Sequence, residues 1–62
     1  MLESNLDYIT LLPALGKSRA CVAVMRCTQD EYVIWKVSQA MPIVQARALA
    51  QSWARAMHLD IR

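Results

Sequence analysis

Four side chains in this sequence have the chemistry for nucleophilic, acid–base or metal-binding work: Cys21, Cys27, His58 and Asp60. His58 close to Asp60 has the composition of a general base, and either thiol would serve as the nucleophile it activates. Such a site also needs an orienting group, an oxyanion hole and a concave pocket, and a 62-residue chain has few places to build them. A structural zinc site needs four ligands, which two well-separated cysteines and one histidine do not supply. On a regular strand Cys21 and Cys27 share a face but lie roughly 20 Å apart at about 3.3 Å per residue, too far to bond to each other. Cys27 would meet a symmetry mate across a dimer, while the simpler role for both is a buried free thiol. These residues predict no catalytic, cofactor or metal site and no small-molecule substrate, so the chain is expected not to be an enzyme.

A second arrangement concerns binding. Arg47, Gln51, Arg55 and His58 follow one another at spacings of four, four and three, which on a helix makes a contiguous polar ridge. Arginine reaches phosphate or guanine and glutamine a base edge, and Lys17, Arg19 and Arg26 would widen the basic surface. Against a nucleic-acid partner stand the alanine-rich surroundings, which offer no stacking aromatics. A solvated helix face is the simpler reading. His58 is then a residue at the helix C-terminus, where the dipole favours positive charge.

These side chains depend on the elements that carry them. Pro42 suits the first turn of a helix, and Ile43, Ala46, Leu49, Ala50, Trp53, Ala54 and Met57 fall on one arc at about 100° per residue. Its alanines allow close approach to a sheet, with Trp53 expected against Trp35 or its neighbours. Upstream, Ala20–Cys27 and Tyr32–Val37 read as two strands joined around Gln29 and Asp30. A tight turn sets Cys27 opposite Tyr32, Met25 opposite Ile34 and Ala23 opposite Lys36 on one face. Arg26 with Val33, Val24 with Trp35 and Val22 with Val37 then occupy the other. A longer loop would shift the register and exchange faces. For the N-terminal segment the pattern predicts a short helix from Asn5 to Leu11, with a strand through Tyr8, Ile9 and Thr10 as the rival. Leu59–Arg62 alternates as a short third strand would.

The predicted hairpin is apolar on both faces, and a single helix covers one. The helix is assigned to Val22, Val24, Trp35 and Val37, which leaves Ala23, Met25, Tyr32 and Ile34 as the candidate protein interface. Either Leu2, Leu6, Ile9, Leu11 and Leu12 fold back over that face, or a second copy or a foreign protein covers it. Because the N-terminal segment is short and broken by Pro13, a homodimer is the expectation, with a heterologous protein partner as the further possibility.

Composition agrees. Hydrophobic residues make up 56% and charged residues 19%, which favours a folded chain over a disordered one, yet a domain this small has a marginal core without a staple or a partner. The net charge of +2 is too weak to require a polyanionic partner. Glu3 and Asp7 stand where a secretory signal needs basic residues, and no uncharged apolar run approaches the roughly 18 residues of a membrane span, so a soluble cytoplasmic protein without membrane contact is expected.

From Tyr32 to Met57, a strand ending in polar residues and then Pro42, Ile43, Gln45, Ala46, Arg47, Leu49 and Ala50, the chain resembles small hairpin-then-helix proteins of phages, prophages and other mobile elements. It departs from them in lacking a glycine in the hairpin turn. The resemblance implies an accessory or regulatory role and transfers no site residue. The sequence therefore predicts one α+β domain over residues 1–62: a short N-terminal element and a β-hairpin packed against one long amphipathic helix. Its expected role is a bacterial or phage protein-interaction module that self-associates, with a nucleic-acid-binding regulator as the alternative.

Overall fold

The computed structural model describes residues 6–14, 16 and 18–62. It shows an α+β fold in which a mixed sheet packs against one helix. The elements run β1 (Tyr8–Pro13), β2 (Arg19–Thr28), β3 (Glu31–Val37), β4 (Met41–Pro42), α1 (Ile43–Met57) and β5 (Asp60–Ile61). The sheet order is β3-β2-β1-β5, with β4 also pairing β2. Neighbours are antiparallel except β1 and β5, which run parallel after the chain returns through α1.

The short N-terminal helix is the main correction. Tyr8–Pro13 is a strand, and Asn5, where that helix would begin, lies outside the described residues. Tyr8, Ile9 and Thr10 suit a pleated surface, and β2 offers them a long edge on which Tyr8 pairs with Met25 and Pro13 with Ala20. The strand alternation then sends Ile9 and Leu11 beneath the helix and Tyr8, Thr10 and Leu12 to the opposite face. Asp7 continues the ladder with its side chain, accepting the Cys27 N–H at 3.0 Å on Oδ1. Among the described residues, those before β2 extend the sheet sideways and do not fold back over it as a cover; Leu2, also expected in that cover, lies outside the described residues.

The hairpin turn is the tight one of the two alternatives. Gln29 and Asp30 both have positive φ, 50° and 69°, which is the signature of a two-residue type I′ turn. Thr28 pairs with Glu31, Cys27 with Tyr32, Arg26 with Val33 and Met25 with Ile34. The regular register ends there, because the next pair is Val24 with Lys36, followed by Ala23 with Val37. Trp35 is the extra residue of a β-bulge, and beyond it the residues of β3 exchange faces. Lys36 therefore lies on the helix side and Val37 on the outer side, the reverse of a regular hairpin. Ser38 closes the strand: its N–H donates to the Val22 carbonyl at 2.8 Å, and its Oγ accepts the Val22 N–H at 2.8 Å.

The core lies between α1 and the centre of the sheet. Ile9, Ala20, Val22, Val24, Ala46 and Ala50 are buried together, with Leu11, Met41, Ile43, Leu49, Trp53, Ala54, Met57 and Leu59 packed around them. Ala46 and Ala50, a turn apart, let the helix backbone come close to the small and β-branched residues of β2. The helix start is fixed from outside, by the Ile43 N–H donating to the Ser18 carbonyl at 2.8 Å. Its end is set by His58 in the left-handed region, φ 59°, whose N–H reaches the Ala54 carbonyl.

Two outcomes check this fold. Ile9→Ala removes a fully buried side chain and is expected to cost about 2–5 kcal/mol in urea unfolding, whereas Val44→Ala, at an exposed position, should change stability by less than about 0.5 kcal/mol. Replacing Gln29-Asp30 by Asn-Gly suits the positive φ at both positions, and should raise the unfolding midpoint by the equivalent of about 0.5–1 kcal/mol.

Candidate interaction surface

α1 packs on β1, β2, β4 and β5, and its backbone does not approach β3. All seven residues of β3 are exposed as a result. Five of them are large and apolar: Tyr32, Val33, Ile34, Trp35 and Val37 retain between 43 and 56% of their accessible surface. Strand residues that alternate across a sheet normally bury one face. Here each face of β3 is only partly covered among the described residues, by single side chains such as Tyr8 and Arg26, and the strand also forms the edge of the sheet.

The backbone of that edge follows from the turn. In a two-residue hairpin the closing pair, Thr28 and Glu31, exchanges backbone hydrogen bonds, and pairs then alternate between bonded and non-bonded. Val33 therefore turns its N–H and C=O toward β2, while Tyr32 and Ile34 turn theirs to the open edge. Cys27, partner of Tyr32 in a non-bonded pair, agrees with this, since its N–H points the other way to Asp7. Past the bulge, Ser38 bonds to Val22, which sets Val37 facing outward again.

The outer face carries the four residues read as a candidate interface. Tyr32 and Ile34 are on it and exposed, and Met25 is half-buried between its strand neighbours. Ala23 is fully buried in the centre of the sheet and so supports the face without offering surface. Tyr8 and Tyr32 stack across β2 with ring centroids 5.1 Å apart, and the Tyr32 hydroxyl donates to the Leu6 carbonyl at 3.1 Å. The Arg62 guanidinium sits 5.0 Å from the Tyr8 ring centre. Cys21 and Cys27 belong to this same face, half-buried, and both are free thiols.

On the helix side, Arg26 holds the Trp35 ring at 5.6 Å and approaches Asp7 at 3.9 Å. The Lys36 ammonium lies 5.0 Å from the centre of the Trp53 ring, so the neighbour of Trp35, and not Trp35 itself, meets Trp53. An open notch of about 340 Å³ separates the end of α1 from β3, lined by Asp7, Val24, Arg26, Trp35, Met57 and Leu59. Its charged lining is Asp7 and Arg26, which approach each other.

The other residues of interest are dispersed. Arg47, Gln51 and Arg55 are exposed along α1, but only Gln51 and Arg55 border the shallow depression with Ala48, Ser52 and Ala56, while Arg47 borders another with Leu11, Ala50 and Ile61. His58 leaves the helical path at the left-handed cap, so it does not continue the ridge. Lys17 lies outside the described residues. Among the described residues no group of His, Cys, Asp and Glu is placed to hold a metal ion, and no helix is long and apolar enough to cross a membrane. The bulge at Trp35, which exchanges Lys36 and Val37 between the faces of β3, was not foreseeable from alternation, because Trp35-Lys36-Val37 reads as a regular strand.

Compared with known proteins, the chain matches no family model, no curated protein and no solved structure.

The two tryptophans should behave differently. Trp53 is packed against the core, and Trp53→Ala is expected to destabilise by about 3 kcal/mol. Trp35 is 56% exposed, and at low micromolar concentration Trp35→Ala should change unfolding free energy by less than about 1 kcal/mol.

Proposed function

We propose that this chain is a non-enzymatic protein-interaction module that self-associates, acting in the cytoplasm as an accessory or regulatory protein. The observation that carries this reading is β3, an edge strand with five large apolar side chains and no covering element among the described residues. Soluble proteins normally blunt such an edge with charge, proline or a bulge that turns it away. β3 has a bulge only at Trp35 and charges only near its ends, at Glu31 and Lys36, so the stretch from Tyr32 to Ile34 keeps a regular apolar edge.

The magnitudes favour association over idle exposure. Each half-exposed Val, Ile or aromatic side chain would gain on the order of 1 kcal/mol from burial, so ten such side chains across two copies supply roughly 10 kcal/mol. Association costs about 4–15 kcal/mol in lost freedom. Apolar burial is of the same order as that cost, and backbone hydrogen bonds along the open edge add about 1 kcal/mol each on the side of association. Two free half-buried thiols fit a reducing compartment.

The alternative, nucleic-acid binding through Arg47, Gln51 and Arg55, rests on their exposure in one line along α1. It lacks aromatic stacking partners on that face, and His58 does not extend it.

Sedimentation equilibrium from 5 to 500 µM distinguishes these roles. The expected result is a reversible monomer–dimer equilibrium that Ile34→Lys shifts to monomer without lowering the unfolding midpoint measured at the dilute end. A strict monomer throughout would contradict self-association. Retention on heparin that falls steeply with salt, and weakens in Arg47→Ala/Arg55→Ala, would favour the alternative.

A further inference from the structure

We infer that the partner seated on β3 is the β3 of a second copy, paired antiparallel about a two-fold axis that passes between the two Val33 residues; this rests on the self-association just proposed and specifies its geometry. Three features of the strand select this arrangement.

The first is the direction of the backbone. Tyr32 and Ile34 face the open edge with their N–H and C=O groups, as the type I′ turn and the Cys27–Asp7 bond require. An antiparallel register with Val33 opposite the partner's Val33 sets Tyr32 against the partner's Ile34 and Ile34 against the partner's Tyr32. Both are then bonded pairs, so the outward-facing groups are satisfied twice over by one symmetry operation. Centring the axis on Ile34 would instead set Tyr32 against the partner's Lys36, whose backbone turns inward to Val24 after the bulge. The bulge thus penalises the neighbouring register.

The second is charge. Asp30 and Glu31 lie at one end of β3 and Lys36 at the other. Antiparallel pairing brings the acidic end of each strand beside the basic end of its partner, with Glu31 opposite the partner's Trp35 and next to the partner's Lys36 on the helix side. A parallel pair would juxtapose like charges.

The third is that both faces are served. A two-fold axis perpendicular to the sheet keeps both helices on one side of a continuous sheet. Val33 and Trp35 of the two copies then fill the strip between the helices, next to the notch that the end of α1 leaves open. Tyr32, Ile34 and Val37 become neighbours of their counterparts on the outer face. A partner stacked on the outer face alone would leave Val33 and Trp35 in water. An isologous contact of this kind needs no second kind of chain.

The test uses the full chain with Cys21→Ala and Cys27→Ala, so that introduced cysteines are the only thiols. In a non-bonded antiparallel pair the Cα atoms are about 4.5 Å apart, within disulfide reach, while diagonal neighbours at about 7–8 Å are beyond it. Mild oxidation at 200 µM should convert Val33→Cys to a covalent dimer at least tenfold faster than Ile34→Cys or Met25→Cys. In the background without added cysteine, Lys36→Glu should weaken the dimer by roughly three- to tenfold, and adding Glu31→Lys should restore it. Faster linkage of Ile34→Cys would overturn the register. A dimer by sedimentation that links through Met25→Cys and not Val33→Cys would overturn edge pairing in favour of packing through the outer face, while leaving self-association intact. Absence of any dimer in the cysteine-free background and in the native chain would overturn self-association itself.

Discussion

A helix of fifteen residues can lie along only a narrow strip of a sheet, and in this protein that strip is β1 and β2. The rest of the structure follows from where that burial runs out. Ala46 and Ala50 draw α1 down onto Val22, Val24 and Ile9, so the buried strand residues all lie in β1 and β2. The same close approach fixes the helix over the middle of the sheet, and β3 projects beyond its reach. What is gained by a tight small-residue contact at the centre is lost in breadth at the edge.

The bulge at Trp35 compounds this constraint. Without it, β3 would present a more regular alternation, with Lys36 on the outer face and Val37 inside. With it, Trp35 and Lys36 both lie on the helix side, held by Arg26 and Trp53, and Val37 joins Tyr32 and Ile34 outside. Cations over the two indole rings give them polar company at the rim but do not remove them from water. Among the described residues the strand therefore remains apolar on two faces and along its open edge, the feature on which the proposed self-association rests.

Much of this fold was legible because its signals are local. The arc from Ile43 to Met57 identifies the helix, and Thr28-Gln29-Asp30-Glu31 between two β-rich runs identifies the hairpin and its first four pairs. The alternation of Leu59–Arg62 signals the last strand, though not that it runs parallel to β1. The N-terminal strand was harder to read, since Leu2, Leu6, Ile9 and Leu12 fall near a helical spacing until the edge of β2 is considered. That edge is a tertiary feature that no local window contains. The bulge was illegible for a related reason: it shows only in the pairing of β2 with β3, where Met25–Ile34 is followed by Val24–Lys36. Of the four candidate interface residues, Tyr32 and Ile34 are on open surface, while Ala23 is too small and too central to reach it.

The most direct measurement is amide hydrogen exchange at Tyr32 and Ile34, whose N–H groups face the open edge, compared with Val33, whose N–H bonds within the hairpin. If β3 is the self-association edge, Tyr32 and Ile34 exchange rapidly in dilute solution and become protected as concentration rises, while Val33 is protected throughout. If Tyr32 and Ile34 exchange as fast as loop amides at every concentration, no partner strand forms on this edge and the central claim is wrong.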